Sequence, residues 1–408
     1  MNTVVCVSFN HTTTPFPILE QVSIDSTTAS QVGEHLCELP SVTEAVVVAT
    51  CNRTEVYFVG GVAAVDRAVA LLAAHSALAP ETLVRHADVM IGDDASLHLF
   101  RVAGGLESRL VGEAEILAQV RSSIARAVEL HTAGTELSAL FRRAVAAGRR
   151  ARRFGTPMTR PSLAALASDR AGVTGADRVL VVGAGALARS LTTELLHRAV
   201  RVRVCARHPD RAVPMVAAAT DAVPFDRLRS EVAVADVVVC ATAARSPVID
   251  AATIGPRDRP LTIVDLSMPR NVAPDVADRD GVRLIDLRQL TLGGAVATAA
   301  PTHELAVRTI EREHHEYRLW LAGRASGELI RDLHDHVRRV CDRAAHGVSG
   351  LDAPATDRLA NEIAGKLLHT LTTTVKRSVA DGDSAAIGLL ADAFGLPNPE
   401  ASVLRSAS

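Results

Sequence analysis

Val179-Leu180-Val181-Val182 runs without a break into Gly183-Ala184-Gly185-Ala186-Leu187-Ala188, and this junction constrains the chain more than any other stretch. Four apolar residues with no polar alternation describe a strand buried on both faces. A GxGxxA turn directly behind it lets the backbone approach a pyrophosphate at the N-terminus of the next helix. The glycine pattern alone is weak, but helical residues continue to about Ala199 and a second strand follows at Val202-Arg203-Val204-Cys205. Further buried-strand runs, Asp236 to Cys240 and Leu261 to Leu266, alternate with helical stretches, as in a parallel, doubly wound sheet. Gly183, Ala184, Gly185, Ala186, Leu187 and Ala188 are therefore the expected dinucleotide-binding residues. A sheet of the same shape without a cofactor is the alternative. The second strand ends at Cys205-Ala206-Arg207-His208, where an NAD-specific domain usually carries an acidic residue. Arg207 there suits the 2′-phosphate of NADP.

The chain has 408 residues, which at about 150 per domain suggests two or three cores. Apolar residues make up 48% and charged residues 22%, which excludes disordered and coiled-coil-only classes. No run approaches the length of a membrane span. Met1-Asn2-Thr3-Val4-Val5 lacks a basic segment ahead of an apolar run, so no signal peptide is expected and a cytoplasmic location fits. The six cysteines form no CxxC pair, which disfavours a disulfide framework or a zinc site. A net charge of -2 gives no global attraction to nucleic acid. A local one remains: Arg142, Arg143, Arg149, Arg150, Arg152 and Arg153 put six arginines into twelve residues. Such a run neutralises phosphates, although a solvated helix face or an acidic partner helix is its commoner use.

Ahead of the nucleotide-binding pattern, strands are expected at Val4 to Phe9, Ala45 to Val48 and Glu55 to Val59, with a helix at about Ala29 to Leu39. A long helical reading covers Leu97 to Arg153, broken at Gly104-Gly105. Cys51 lies in the polar loop Ala49-Thr50-Cys51-Asn52-Arg53-Thr54. A nearby cation favours the thiolate, the nucleophilic form; a small, inert core cysteine is the competing reading. Beyond about Ala300 the chain is helical, and Ile330, Leu333, Val337, Val340 and Ala344 form a seam that suits either ordinary packing or a dimer contact.

Thr50-Cys51-Asn52-Arg53-Thr54-Glu55, followed by Val56-Tyr57, resembles the signature of glutamyl-tRNA reductases. The resemblance continues at Asn10-His11, at His98-Leu99-Phe100-Arg101-Val102-Ala103 through Gly105-Leu106-Glu107-Ser108, and at Gly112-Glu113, Ile116-Leu117 and Gln119-Val120. Met268-Pro269-Arg270 and Lys366-Leu367-Leu368-His369 extend it, so it spans nearly the whole chain in the family's order.

The resemblance implies an N-terminal α/β catalytic, glutamyl-tRNA-binding domain (1–155), a Rossmann NADP-binding domain (156–296) and an all-helical dimerisation domain (297–408). It implies that NADPH reduces the glutamyl group of tRNA(Glu) to glutamate-1-semialdehyde through a thioester on Cys51, opening tetrapyrrole synthesis. His98 matches the family's important histidine, for proton transfer or positioning, where the residues alone suggest a satisfied helix histidine. Thr50, Asn52, Arg53, Ser108, Glu113, Ala114, Glu115 and Gln119 fall on substrate-binding positions, with Arg53 expected to clamp the substrate carboxylate and Glu113 its ammonium group. His11 is expected beside the same pocket. A homodimer is implied, and an aminomutase that takes over the unstable aldehyde. The chain departs from the family's pattern at Ala114-Glu115, where Pro-Gln is usual, and at Leu19, where Arg is usual. These departures leave a second reading, a divergent paralogue that binds tRNA or NADP as a regulator with little turnover.

Overall fold

β1 (Thr3–Asn10) and β3 (Arg53–Gly60) form the centre of a four-stranded antiparallel sheet, flanked by β2 (Val42–Ala49) and β4 (Asp88–Ile91) in the order β2-β3-β1-β4. The structure is a computed structural model and describes residues 3–108, 114–153, 163–175, 177–198, 200–208, 221–291, 301–346, 353–381 and 383–394. Both faces of this sheet are covered, which is why β1 reads as a continuous apolar run. Val5, Val7 and Phe9 pack into one core with Val56 and Phe58, beneath the Phe16–Gln21, Ser26–Cys37 and Val65–Ala73 helices. Cys6, Tyr57 and Val59 face the opposite core, covered by the helices Asp93–Gly104, Ala114–Glu129 and Thr135–Arg153. The single helical stretch expected from Leu97 to Arg153 is thus three helices. The break expected at Gly104-Gly105 is a helix end, with Gly105 capping in the left-handed region at φ 73°.

The second unit carries a six-stranded, all-parallel sheet built from β5 (Arg178–Val182), β6 (Arg201–Ala206), β7 (Asp221–Pro224), β8 (Val237–Cys240), β9 (Leu261–Asp265) and β10 (Val282–Asp286). Its order is β10-β9-β8-β5-β6-β7, so the winding reverses between β5 and β8. A crevice opens at such a reversal, beyond the carboxyl ends of the strands.

The helices Pro301–Ala325, Gly327–His346, Ala353–Ala380 and Ser384–Ala393 complete the described chain. The first of them lays Ile310 and Tyr317 into the core on one face of the first sheet. Leu333 and Val337 of the expected seam are buried against Ala364, Leu368 and Val375 of the same chain, whereas Val340 is exposed. The seam therefore packs within the chain through these two residues and half-buried Ile330. Among the described residues, no helix is long and apolar enough to cross a membrane.

Gly148 lies where the Thr135–Arg153 and Asp93–Gly104 helices meet, and a Cβ there would stand 2.4 Å from the Ala103 carbonyl oxygen. Gly148→Ala should push these helices apart and destabilise the protein by about 1–3 kcal/mol. Thermal denaturation checks this; an unchanged midpoint would show that the helices can separate at no cost.

Candidate active site

The β2–β3 hairpin closes through a four-residue turn in which the Thr50 N–H donates to the Arg53 carbonyl at 2.8 Å. Cys51 and Asn52 occupy its two central positions. The Asn52 N–H also donates to Thr50 Oγ1 at 3.1 Å, and the Asn52 side-chain amide donates to Cys51 Sγ at 3.4 Å. The turn after β1 supports it from behind, where the His11 N–H donates to the Asn52 carbonyl at 3.1 Å. Cys51 is half-buried in a small cavity lined by Thr50, Asn52, Arg53, Ser108, Glu115, Ile116 and Gln119. Apart from Ile116, every lining residue was expected from the sequence. Burial pushes the Glu115 carboxyl above its ordinary range. Glu113 lies outside the described residues, as does the side chain of Ala114.

Beneath the cavity is a buried charge network. Arg53, 2% exposed, donates from Nη1 to Glu55 Oε1 at 2.6 Å and from Nη2 to the Glu107 carbonyl. Both terminal nitrogens thus bond inside the protein, while Arg53 also lines the cavity. His98 bridges Glu55 Oε1 at 2.9 Å and Glu107 Oε2 at 2.8 Å. Ser8 and Tyr57 donate to the two oxygens of Glu55 at 3.2 and 2.8 Å.

Burial alone would raise the Glu55 pKa, but Arg53 and His98 hold it well below the usual carboxylate range. Burial would likewise lower that of His98, but Glu55 and Glu107 raise it to about 10. His98 is thus an imidazolium at neutral pH, committed at both ring nitrogens, which suits positioning rather than proton transfer. Cys6, Glu55 and His98 have the proximity of metal ligands, but this protonated imidazole and the Arg53 ion pair fill the same space.

Glu55, Tyr57 and Glu107 were not singled out from the sequence as site residues. The signal was present: Arg53, Glu55 and Tyr57 share one face of β3, and Ser8 and Cys6 lie opposite Glu55 and Tyr57 on β1.

The dinucleotide crevice lies where the sheet reverses. A cavity of about 510 Å³ is lined by Gly183, Ala184, Gly185, Arg207 and His208, and by Thr242, Ala243 and Ala244 from the turn after β8. Gly183 is required twice over, with φ 125° and a site where a Cβ would meet the Ala241 carbonyl at 2.3 Å. Gly185 has open space in front of it and caps the Ala186–His197 helix, so a pyrophosphate has both room and backbone donors. The residues present therefore fit a dinucleotide. Ala188 is fully buried between helix and sheet, so the third position of the motif serves close packing instead of cofactor contact. Ala186 and Leu187 head the helix without lining the cavity.

Residues 7–154 match the family model for the N-terminal domain of glutamyl-tRNAGlu reductase, and 305–396 match its dimerisation domain. Between them, 165–292 match a shikimate/quinate 5-dehydrogenase model. "Glutamyl-tRNA reductase 2" of Nocardioides sp. is 32% identical, covering 97% of this chain and 93% of its own. The chain belongs to the glutamyl-tRNA reductase family. Glutamyl-tRNA reductase of Kineococcus radiotolerans is 36% identical over 91% of this chain and 88% of its own. The solved glutamyl-tRNA reductase of Methanopyrus kandleri is 29% identical and covers 93% of this chain and 99% of its own, at a TM-score of 0.42.

In this reductase family member the arginine run is divided. Arg142, Arg149, Arg150 and Arg153 are exposed; of these Arg150 pairs with Glu313, and Arg143, half-buried, stacks over Trp320 at 4.7 Å. Two of the six thus meet the long helix Pro301–Ala325.

A histidine whose pKa is raised by folding stabilises fully below its unfolded value, near 6.5, and loses that contribution as pH rises through about 10. The stability gap between the parent and His98→Gln should therefore narrow across this window. Urea unfolding at several pH values measures it; a constant gap would refute a charged His98.

Proposed function

We propose that this chain reduces glutamyl-tRNA(Glu) to glutamate-1-semialdehyde with NADPH, through a thioester on Cys51. The observation that carries the mechanism is the position of Cys51: it opens into the cavity of expected substrate-binding residues and packs against the core of the nucleotide-binding unit. The Cys51 sulfur attacks the ester carbonyl, a C–S bond forms, and the bond to the tRNA ribose oxygen breaks, that oxygen leaving with the thiol proton. Asn52, which donates to Sγ, steadies negative charge on the sulfur. Dihydronicotinamide, when bound, supplies hydride to the thioester carbonyl carbon. The C–S bond then breaks, releasing the aldehyde and returning the thiolate. Covalent capture divides one hard substitution into two steps, and a thioester stays electrophilic enough for the second.

Arg207, exposed at the end of β6 and lining the crevice, is the proposed reader of the 2′-phosphate. Glu113, expected to meet the substrate ammonium group, lies outside the described residues, and Glu115 at the cavity wall is the proposed alternative for that contact. Exposed Arg142, Arg149 and Arg153 are the part of the run still open to tRNA phosphates. The match to a dimerisation domain supports a homodimer, and exposed Val340, Ile363, Leu367 and Leu389 offer apolar surface for it. The aldehyde product calls for a following aminomutase. Relatives named as reductases along nearly the whole chain weigh against a regulator without turnover.

Purified protein given glutamyl-tRNA and NADPH should form aldehyde, and Cys51→Ser should form none. Equal activity in Cys51→Ser would dispose of the thioester. Arg207→Asp should weaken NADPH binding roughly 10- to 100-fold, the effect of losing a charge-assisted contact. Fluorescence titration against NADH and NADPH checks this, and an unchanged preference would place the phosphate contact elsewhere.

A further inference from the structure

The loop after β9 holds together two parts of the molecule that the reaction must bring into register. Its inner side is wound around Asp265, which is buried and accepts the N–H groups of Ser267, Asn271 and Val272 at 3.0, 2.7 and 2.9 Å. Asn271, fully buried, accepts from Ser267 Oγ at 2.8 Å and from Thr242 Oγ1 at 2.5 Å. Thr242 belongs to the turn that lines the dinucleotide crevice, and the adjoining Ala241 carbonyl sits against Gly183. The 265–272 loop and the crevice wall are therefore one hydrogen-bonded body.

The outer side of the same loop grips the catalytic unit. Arg270 donates from Nε and Nη2 to the two oxygens of Glu20 at 2.7 and 2.6 Å, and its backbone N–H donates to Glu20 Oε1 at 2.9 Å. Ser23 Oγ donates to the Met268 carbonyl at 3.3 Å. The Met268 side chain packs against a core of each unit. Nearby, Arg245 pairs with Asp25 at 2.8 Å. Glu20 is the more buried partner of its pair and Arg270 is partly exposed, so the bidentate geometry fixes an orientation as well as a distance.

The geometry points to Arg270 and Glu20 as positioning residues for hydride transfer: their pairing sets the nucleotide crevice in register with Cys51 in the second half-reaction. This rests on the thioester mechanism proposed above. Acylation of Cys51 needs only the catalytic unit and the tRNA ester, so it does not depend on the pair. Reduction does, because the hydride must reach a carbonyl held on the other unit, and a small misplacement there slows a reaction steeply. A thioester left waiting meets water, so glutamate forms in place of aldehyde.

The test compares the parent protein, Arg270→Met and Arg270→Lys with glutamyl-tRNA. Release of tRNA in the absence of NADPH should stay within about twofold of the parent in both variants. With NADPH present, the ratio of aldehyde to free glutamate should fall on the order of tenfold in Arg270→Met, the scale of one lost charge-assisted pair. Arg270→Lys, which keeps the charge but not the fork, should fall between. Small-angle scattering without tRNA or NADPH should give a larger radius of gyration for Arg270→Met. An unchanged ratio, an unchanged radius, or tRNA release that falls in step with the ratio would overturn the assignment. A parent that releases no tRNA would instead overturn the thioester mechanism and this inference with it.

Discussion

A carboxylate with no exposure at all, Glu55, organises the catalytic half of the protein. A charge in that position is tolerated only with partners in good geometry, because removing one leaves an uncompensated buried ion at a cost of about 3–5 kcal/mol. Arg53, His98, Ser8 and Tyr57 are those partners, and each comes from a different place in the chain or a different register of the sheet. Their positions follow from the need to satisfy Glu55. Arg53, fixed in this way, reaches the Glu107 carbonyl, and His98 reaches the Glu107 carboxylate. The turn carrying Glu107 and Ser108 is thereby tied to the hairpin that carries Cys51. The cavity is in part a consequence: Arg53, which the network immobilises, and the two segments the network joins line it together with Glu115, Ile116 and Gln119 of the Ala114–Glu129 helix. Arg53 shapes the site from below.

Every central strand, and the long edge strand β2, was legible in the sequence; the shorter edge strands were not. β1, β2, β3, β5, β6, β8 and β9 all coincide with apolar runs. The three that escaped, β4, β7 and β10, each lie at the edge of a sheet. These three are short and carry polar residues or proline that discourage further pairing, so they lack the run that marks a central strand. β7 shows this in four residues, beginning at Asp221 and ending at Pro224. In the site, Cys51 and the glycine turn were readable because a local loop defines them. The engagement of Arg53 was not, because Glu107 is remote in sequence. The arginine run is the same case: Glu313 and Trp320, which occupy Arg150 and Arg143, lie far along the chain. Composition and spacing register such a run, whereas its partners are a property of the fold.

The departures at Leu19 and Ala114-Glu115 carry different weight once placed. Leu19 is buried in the core beneath the first sheet, so an apolar residue suits that position in this chain. Its neighbour Glu20 points the other way and holds Arg270. Glu115 stands in the wall of the Cys51 cavity, where burial favours its neutral form. Glutamate and glutamine have the same length and both present a hydrogen-bond acceptor, so the exchange keeps an acceptor in the cavity wall.

A thioester imposes two demands that pull against each other: a hydride donor must reach it and water must not. Cys51 meets both with one surface. One side of its surroundings is the catalytic cavity, and the other is the core of the nucleotide-binding unit, including Ala184 and Met268 among the residues packed there. In the proposed mechanism the unit that brings the reductant also covers part of the half-buried sulfur. Closing a site against water strengthens the electrostatic interactions inside it and suppresses hydrolysis. For this geometry, contact between the two units serves shielding and delivery together, and a chain that lost that contact would turn an activated glutamyl group into glutamate.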